Sequence, residues 1–216
     1  MTFELLVLDC DGVLVDSERL AHEVLVQLLA EVDIQLTTEA AFDTFLGRST
    51  AQCVDILNAM LGRDVGVDMM RSFRQRLREA FETGLRALPN IEAALDEIRL
   101  PWCVASSGEI EKMRLSLGLT GLLPRFEGRL VSVTEVAHPK PAPDVYLLAA
   151  HRFGADARAC VAVEDSPTGV AAAVAAGMTV VGYAGHTPAA KLMAAGAHQV
   201  IADMARLPAL IAAGKP

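Results

Sequence analysis

Short apolar runs separated by helical patterns organise most of this chain. Residues 3–9 form an apolar run that ends in a carboxylate, Asp9, and is soon followed by Gly12. This is the pattern of a buried strand whose C-terminal end meets a loop. Three further runs, at 102–105, 160–163 and 179–182, are short, rich in apolar or β-branched residues and bounded by Gly, Pro or Ser. A weaker strand is expected at 200–201. Helical patterns fall between them, at about 91–99, 109–118, 143–153, 167–176, 188–195 and 205–212. Strands alternating with helices predict an α/β fold with a parallel sheet covered on both faces. Such sheets bind ligands beyond the carboxyl ends of their strands.

One stretch breaks the alternation. From about residue 16 to residue 86 the pattern is helical throughout, at about 18–32, 38–45, 50–61 and 66–83, with Thr37 and Ser49 as N-caps and Gly47 and Gly62 at the joins. The expected organisation is therefore a core from residues 1–15 and 86–216, with a helical domain, 16–85, inserted after the first strand.

Composition narrows the function. The hydrophobic share is 52%, but aromatics are only 5%, so the core is built from aliphatic side chains. Net charge is −8 and no run of Lys or Arg occurs, which speaks against nucleic acid as a partner. Arg71, Arg74, Arg76 and Arg78 are spaced around a helix and read as a solvated face. An acidic protein that handles anions must make its positive potential locally. Residues 1–10 lack a basic leader, and no apolar run is long enough to span a bilayer, so a cytoplasmic protein with no membrane partner is expected. The four cysteines show no zinc-ligand spacing, and a reducing compartment suits them.

The chemistry concentrates at strand ends. Asp9 and Asp11 stand two residues apart before Gly12, where the backbone can turn sharply and present N–H groups. One carboxylate can act as a nucleophile in phosphoryl transfer, and the other as a general acid and base. Ser106 and Ser107, before Gly108, follow the second core strand and offer a hydroxyl and N–H groups to a phosphate oxygen. Lys140 lies among Pro139, Pro141 and Pro143, which stiffen its loop and preset the ammonium against negative charge. Glu164 and Asp165 follow the third core strand and could hold a hard cation, with Mg²⁺ favoured by oxygen ligands beside a phosphate. Each feature also has a plainer reading: turn or cap for the aspartates and Ser106, solvated amine for Lys140, capping pair for Glu164 and Asp165.

Four such features in this order resemble the four motifs of the haloacid dehalogenase superfamily, in its branch of sugar-phosphate phosphatases and β-phosphoglucomutase. The resemblance spans nearly the whole chain. It implies a Rossmann-like core with an inserted α-helical cap, and Mg²⁺ as cofactor. The substrate would be a small phosphate ester, such as a sugar or sugar-acid phosphate, hydrolysed through an aspartyl-phosphate. By position, Asp9 matches the nucleophile and a metal ligand, and Asp11 the acid–base, its carbonyl also on the metal. Ser106 and Lys140 match the phosphate holders, joined by N–H groups of Gly12 and Ser107. Asp165 matches the direct metal ligand, and Glu164 a ligand or a carboxylate behind it. Family caps place a specificity loop near Arg48, which is read either as a substrate contact or as a surface Arg before a helix.

Three other readings compete with a phosphatase. β-Phosphoglucomutases carry a His in the first cap helix where this chain has Ala21, with His22 one step and about 100° around the helix; this favours phosphatase over mutase. A dehalogenase needs no acid–base carboxylate at Asp11. A catalytically silent domain would not keep every catalytic position filled. The expected state is a monomer or weak dimer, with cap motion hinged near 14–17 and 84–88.

Overall fold

The computed structural model describes residues 2–214. Residues 1, 215 and 216, which the expected core range includes, lie outside the described residues. The chain runs β1 (Leu5–Leu8), α1 (Glu18–Ala30), α2 (Thr38–Phe45), α3 (Thr50–Leu61), α4 (Gly66–Gly84), α5 (Ile91–Glu97), β2 (Trp102–Ser106), α6 (Ile110–Leu119), α7 (Leu123–Phe126), β3 (Leu130–Ser132), α8 (Asp144–Arg152), β4 (Cys160–Glu164), α9 (Pro167–Ala175), β5 (Thr179–Tyr183), α10 (Ala189–Ala194), β6 (Gln199–Ile201) and α11 (Leu207–Ala213).

The six strands form one sheet in the order β3-β2-β1-β4-β5-β6, with every pairing parallel. This is the Rossmann-like order. Alternation along β1 sends Leu6 and Leu8 to one face, with Val104, Val163, Ile91 and Phe126, and Leu5 and Val7 to the other, with Cys103, Ala162, Tyr146 and Val170. Both faces are buried, which is why the strands read as continuous apolar runs. The chain leaves β1 toward β2 on one side and β4 pairs on the other, so the strand order reverses at β1. The carboxyl ends of β1 and β4 therefore open onto the switch point where such sheets bind ligands.

Helices α1–α4 fill the chain between β1 and β2 and enclose an apolar cluster of their own, including Leu25, Leu29, Phe45, Leu57 and Val65. The Thr37 hydroxyl accepts from the Ala40 N–H at 3.1 Å, and Ser49 and Gln52 form a capping box. The two segments joining this inserted cap to the core pair with each other: Asp16 N–H donates to the Arg86 carbonyl at 2.9 Å, and Leu88 N–H to that of Leu14 at 3.0 Å.

Two elements went unread in the sequence. β3 is three residues long at the sheet edge, and α7 is a single turn. The predicted strand at 3–9 narrows to Leu5–Leu8, since Asp9 already belongs to the loop. None of the four cysteines forms a disulfide. No helix among the described residues is long and apolar enough to cross a membrane.

Candidate active site

The end of β1 delivers Asp9 and the end of β4 delivers Glu164 and Asp165. Leu8 pairs with Val163, and the Asp9 N–H donates to the Val163 carbonyl at 3.0 Å, which brings the three carboxylates together. One oxygen from each lies within 4.8 Å of the others, and all three residues are buried. From the other side, the Lys140 ammonium reaches in. It donates to Asp9 at 2.8 Å, to Glu164 at 2.6 Å and to the Ala105 carbonyl at 3.0 Å, and Lys140 is only 2% exposed. This is the local positive charge that an acidic chain requires.

Glu164 and Asp165 differ in their surroundings. Glu164 accepts from Lys140, from the Tyr146 hydroxyl at 2.5 Å and from the Ser166 hydroxyl at 3.2 Å. Its oxygens are satisfied, and it anchors Lys140. Asp165 Oδ2 is buried with no hydrogen-bond partner. A bare buried carboxylate oxygen is costly, and a cation shared with Asp9 would remove that cost. The donors are carboxylate oxygens, which suit Mg²⁺, Ca²⁺ or Mn²⁺ and not softer metals. The residues present thus fit a hard divalent cation.

Asp11 is occupied by protein groups. Ser17 donates to its Oδ1 at 2.5 Å, and the Lys112 ammonium lies 2.9 Å from its Oδ2. Burial alone would raise its pKa, but the Lys112 charge and the hydrogen bonds from Ser17 and Lys112 outweigh burial and hold the carboxyl below its ordinary range. Asp9 goes the other way. Burial pushes it up to about 7 against the Lys140 ammonium, with Glu164 and Asp11 adding to the rise. Burial also raises Asp165 well above the carboxylate range, with the charges of Glu18, Glu164 and Asp9 behind it. Lys140 is pulled up by Asp9 and Glu164 in spite of its burial.

Ser106 is buried at the end of β2, and its hydroxyl accepts from the Gly108 N–H at 3.0 Å. The unforeseen β3 steadies this turn, because the Ser132 hydroxyl donates to the Gly108 carbonyl at 2.7 Å. Ser107 turns its hydroxyl toward the cap and donates to the Gly47 carbonyl at 3.3 Å. The Gly12 N–H, expected to join the phosphate holders, donates here to the Val15 carbonyl at 2.9 Å. What the position demands is room, since φ is +73° and a Cβ would lie 2.0 Å from Asp165 Oδ2.

Asp9, Asp11, Ser106, Ser107, Lys140 and Asp165 all line one cavity of about 160 Å³. The cap closes it, contributing Arg48 among others, although Arg48 is otherwise exposed and its Nε donates to the Thr44 carbonyl at 2.7 Å. His22 also borders the cavity but is buried and stacked on Phe42, with centroids 4.1 Å apart. The sequence reading missed Ser17, Glu18, Lys112 and Tyr146. Each sits on or just before a helix, and only the azimuth of that helix decides whether its side chain meets the site.

A family model described as haloacid dehalogenase-like hydrolase matches residues 3–177. The 6-phosphogluconate phosphatase of Escherichia coli (strain K12) is 31% identical over 178 residues, covering 82% of this chain and 80% of that protein. Among solved structures, a conserved haloacid dehalogenase-like protein of unknown function from Agrobacterium tumefaciens str. C58 matches with TM-score 0.84 and 32% identity over 98% of both chains. A haloacid dehalogenase family hydrolase from Deinococcus radiodurans R1, solved with bound phosphate and sodium, matches with TM-score 0.78 and 31% identity over 98% of this chain and 96% of that one.

Proposed function

Since the chain belongs to the haloacid dehalogenase-like hydrolases, we propose that it is a magnesium-dependent phosphoric monoester hydrolase acting through an aspartyl-phosphate on Asp9. The observation that carries this reading is the meeting of Asp9, the unpartnered Asp165 oxygen and the Lys140 ammonium in one cavity closed by the cap. Asp9, Asp165 and the Asp11 carbonyl would hold the ion, with Glu164 beside them keeping Lys140 in place. When bound, Mg²⁺ offsets charge on the phosphoryl oxygens.

The residues divide the work. Lys140, the Ser106 hydroxyl and the Ser107 N–H hold the phosphoryl group. The Asp9 carboxylate attacks phosphorus as the ester oxygen departs with a proton from Asp11. Asp11 then takes a proton from the water that attacks the acyl phosphate, which frees Asp9 and releases phosphate. Lys112 and Ser17 hold Asp11 in the ionised form that the second step needs, so the first step requires that it be loaded with a proton beforehand.

The substrate we assign is a small sugar or sugar-acid phosphate, in keeping with the named activity of the E. coli relative. No second reading gains from the structure: Ala21 borders the cavity at the position aligned with the mutase histidine, while His22 is held against Phe42. We place the protein in the cytoplasm as a monomer or weak dimer, with residues 16–85 as the cap. A phosphate-release screen over metabolite monophosphates with magnesium tests the assignment. Turnover that stops on chelation and returns with Mg²⁺ supports it, and a screen with no turnover of any ester rejects it.

Arg48 is assigned to the substrate's far end. Arg48→Ala is expected to raise KM for the best metabolite substrate roughly 10-fold and to leave KM for p-nitrophenyl phosphate nearly unchanged. Equal effects on both would remove Arg48 from the specificity set.

The raised carboxyls also set a pH dependence. Asp9, pushed up to about 7, and Glu18, pushed up to about 8 by burial and the Asp11 charge, keep protons in the metal-free fold that the unfolded chain has already released. The folded state then binds more protons, so stability falls as pH rises from about 4 to about 8. Magnesium must displace the Asp9 proton, so its affinity grows across the same range. Thermal unfolding at pH 6 and pH 8, with and without Mg²⁺, should show the larger metal-induced rise in Tm at pH 8. A rise independent of pH would contradict this.

A further inference from the structure

The phosphoryl chemistry gives Glu18 no task and uses Lys112 only to hold Asp11. Glu18, in the first turn of α1, and Lys112, in the first turn of α6, both line the cavity beside Asp11. Lys112 lies 2.9 Å from Asp11 Oδ2 with its side chain 31% exposed. The Glu18 side chain is 15% exposed and lies 3.4 Å from His22 Nδ1. The Glu18 carboxylate and the Lys112 ammonium act on each other electrostatically across this part of the cavity.

We propose that Glu18 and Lys112 together read a hydroxyl group on the carbon next to the one bearing the phosphate, so that the preferred substrates are monophosphates of vicinal diols. The inference rests on the phosphatase reading above and deepens it. Asp11 must lie against the ester oxygen to protonate it. Lys112, 2.9 Å from Asp11 Oδ2, then stands on the leaving-group side of the phosphate, where the oxygen on the neighbouring carbon would lie. An ammonium only donates, and it has hydrogens to spare beyond the one given to Asp11, whereas the Glu18 carboxyl offers an acceptor oxygen whether or not it holds its proton. A hydroxyl does both, so it satisfies Lys112 and Glu18 at once. A second phosphate or carboxylate at this point would face the charge of Asp11 and the acceptor oxygens of Glu18. An apolar leaving group would strip water from both side chains and return nothing.

The test compares glycerol 1-phosphate, 3-hydroxypropyl phosphate, propyl phosphate and p-nitrophenyl phosphate as substrates with Mg²⁺. Native enzyme is expected to favour the vicinal diol over the other two alkyl esters by at least about 100-fold in kcat/KM, since sites built around a hydroxyl reject analogues that lack it. Glu18→Leu and Lys112→Met should each shrink that ratio roughly 10- to 100-fold. The substrate series on native enzyme stands even if a variant fails to fold. Turnover of p-nitrophenyl phosphate without preference for the diol overturns the inference alone, and so does an equal loss on all four esters in both variants. No release from any ester, p-nitrophenyl phosphate included, overturns the phosphatase reading and the inference with it.

Discussion

Asp9→Asn is expected to lower magnesium-supported phosphate release by roughly 10⁴- to 10⁶-fold, the scale on which removing a nucleophile disables an enzyme. The fold should survive the change. Asparagine keeps the shape of the side chain and can still accept from Lys140, which donates to Asp9 at 2.8 Å. Burial already opposes the charge on Asp9, raising its carboxyl to about 7, so replacing it by a neutral amide relieves as much as it removes. The expected result is thus near-native thermal unfolding in metal-free buffer together with loss of turnover. Residual activity within about 10-fold of native enzyme would mean that another group attacks phosphorus.

Lys140→Met is expected to damage the fold as well as the chemistry. The ammonium is the shared counter-ion of Asp9 and Glu164, at 2.8 and 2.6 Å, and it also donates to the Ala105 carbonyl at 3.0 Å, with Lys140 almost wholly buried. Removing one partner from a buried ionic cluster leaves uncompensated charge, a loss of about 3–5 kcal/mol. Urea unfolding of the metal-free variant should show that loss at pH 8. It should show less at pH 5, where Asp9 carries its proton and no longer needs a counter-ion. A variant as stable as native protein at pH 8 would mean that the two carboxylates are not ionised together in the fold. Turnover should fall with Lys140 gone even where the variant remains folded, because phosphate and nucleophile then lack their shared cation.

Most of the fold was legible because its signals are local. A parallel strand buried on both faces must be apolar along its length, as Leu5–Leu8 is. A helix must satisfy its first N–H groups, as Thr37 and Ser49 do. The order of the carboxylates and Lys140 along the chain, each placed at a strand end or in a proline-framed loop, foretold that they would converge. β3 escaped because three residues carry no periodicity, yet its Ser132 braces the turn that presents Ser106. Glu18 and Lys112 escaped for a different reason. A residue inside a helix faces the site or the solvent according to how that helix is rotated, and packing sets the rotation. The close approach of Gly12 to Asp165, which leaves no room for a Cβ, exists only once β1 and β4 are paired. Contacts across the cap, such as the Gln52 amide donating to the Lys140 carbonyl at 3.2 Å, join residues that no sequence spacing connects.

The most direct measurement is a single turnover of the best substrate with magnesium, quenched in acid and digested, with the phosphoryl group located by mass spectrometry. The account predicts transient phosphorylation of Asp9 that rises and decays as product forms and is absent from Asp9→Asn. Product formed with no labelled peptide at any time, or a label on a different residue, would contradict it.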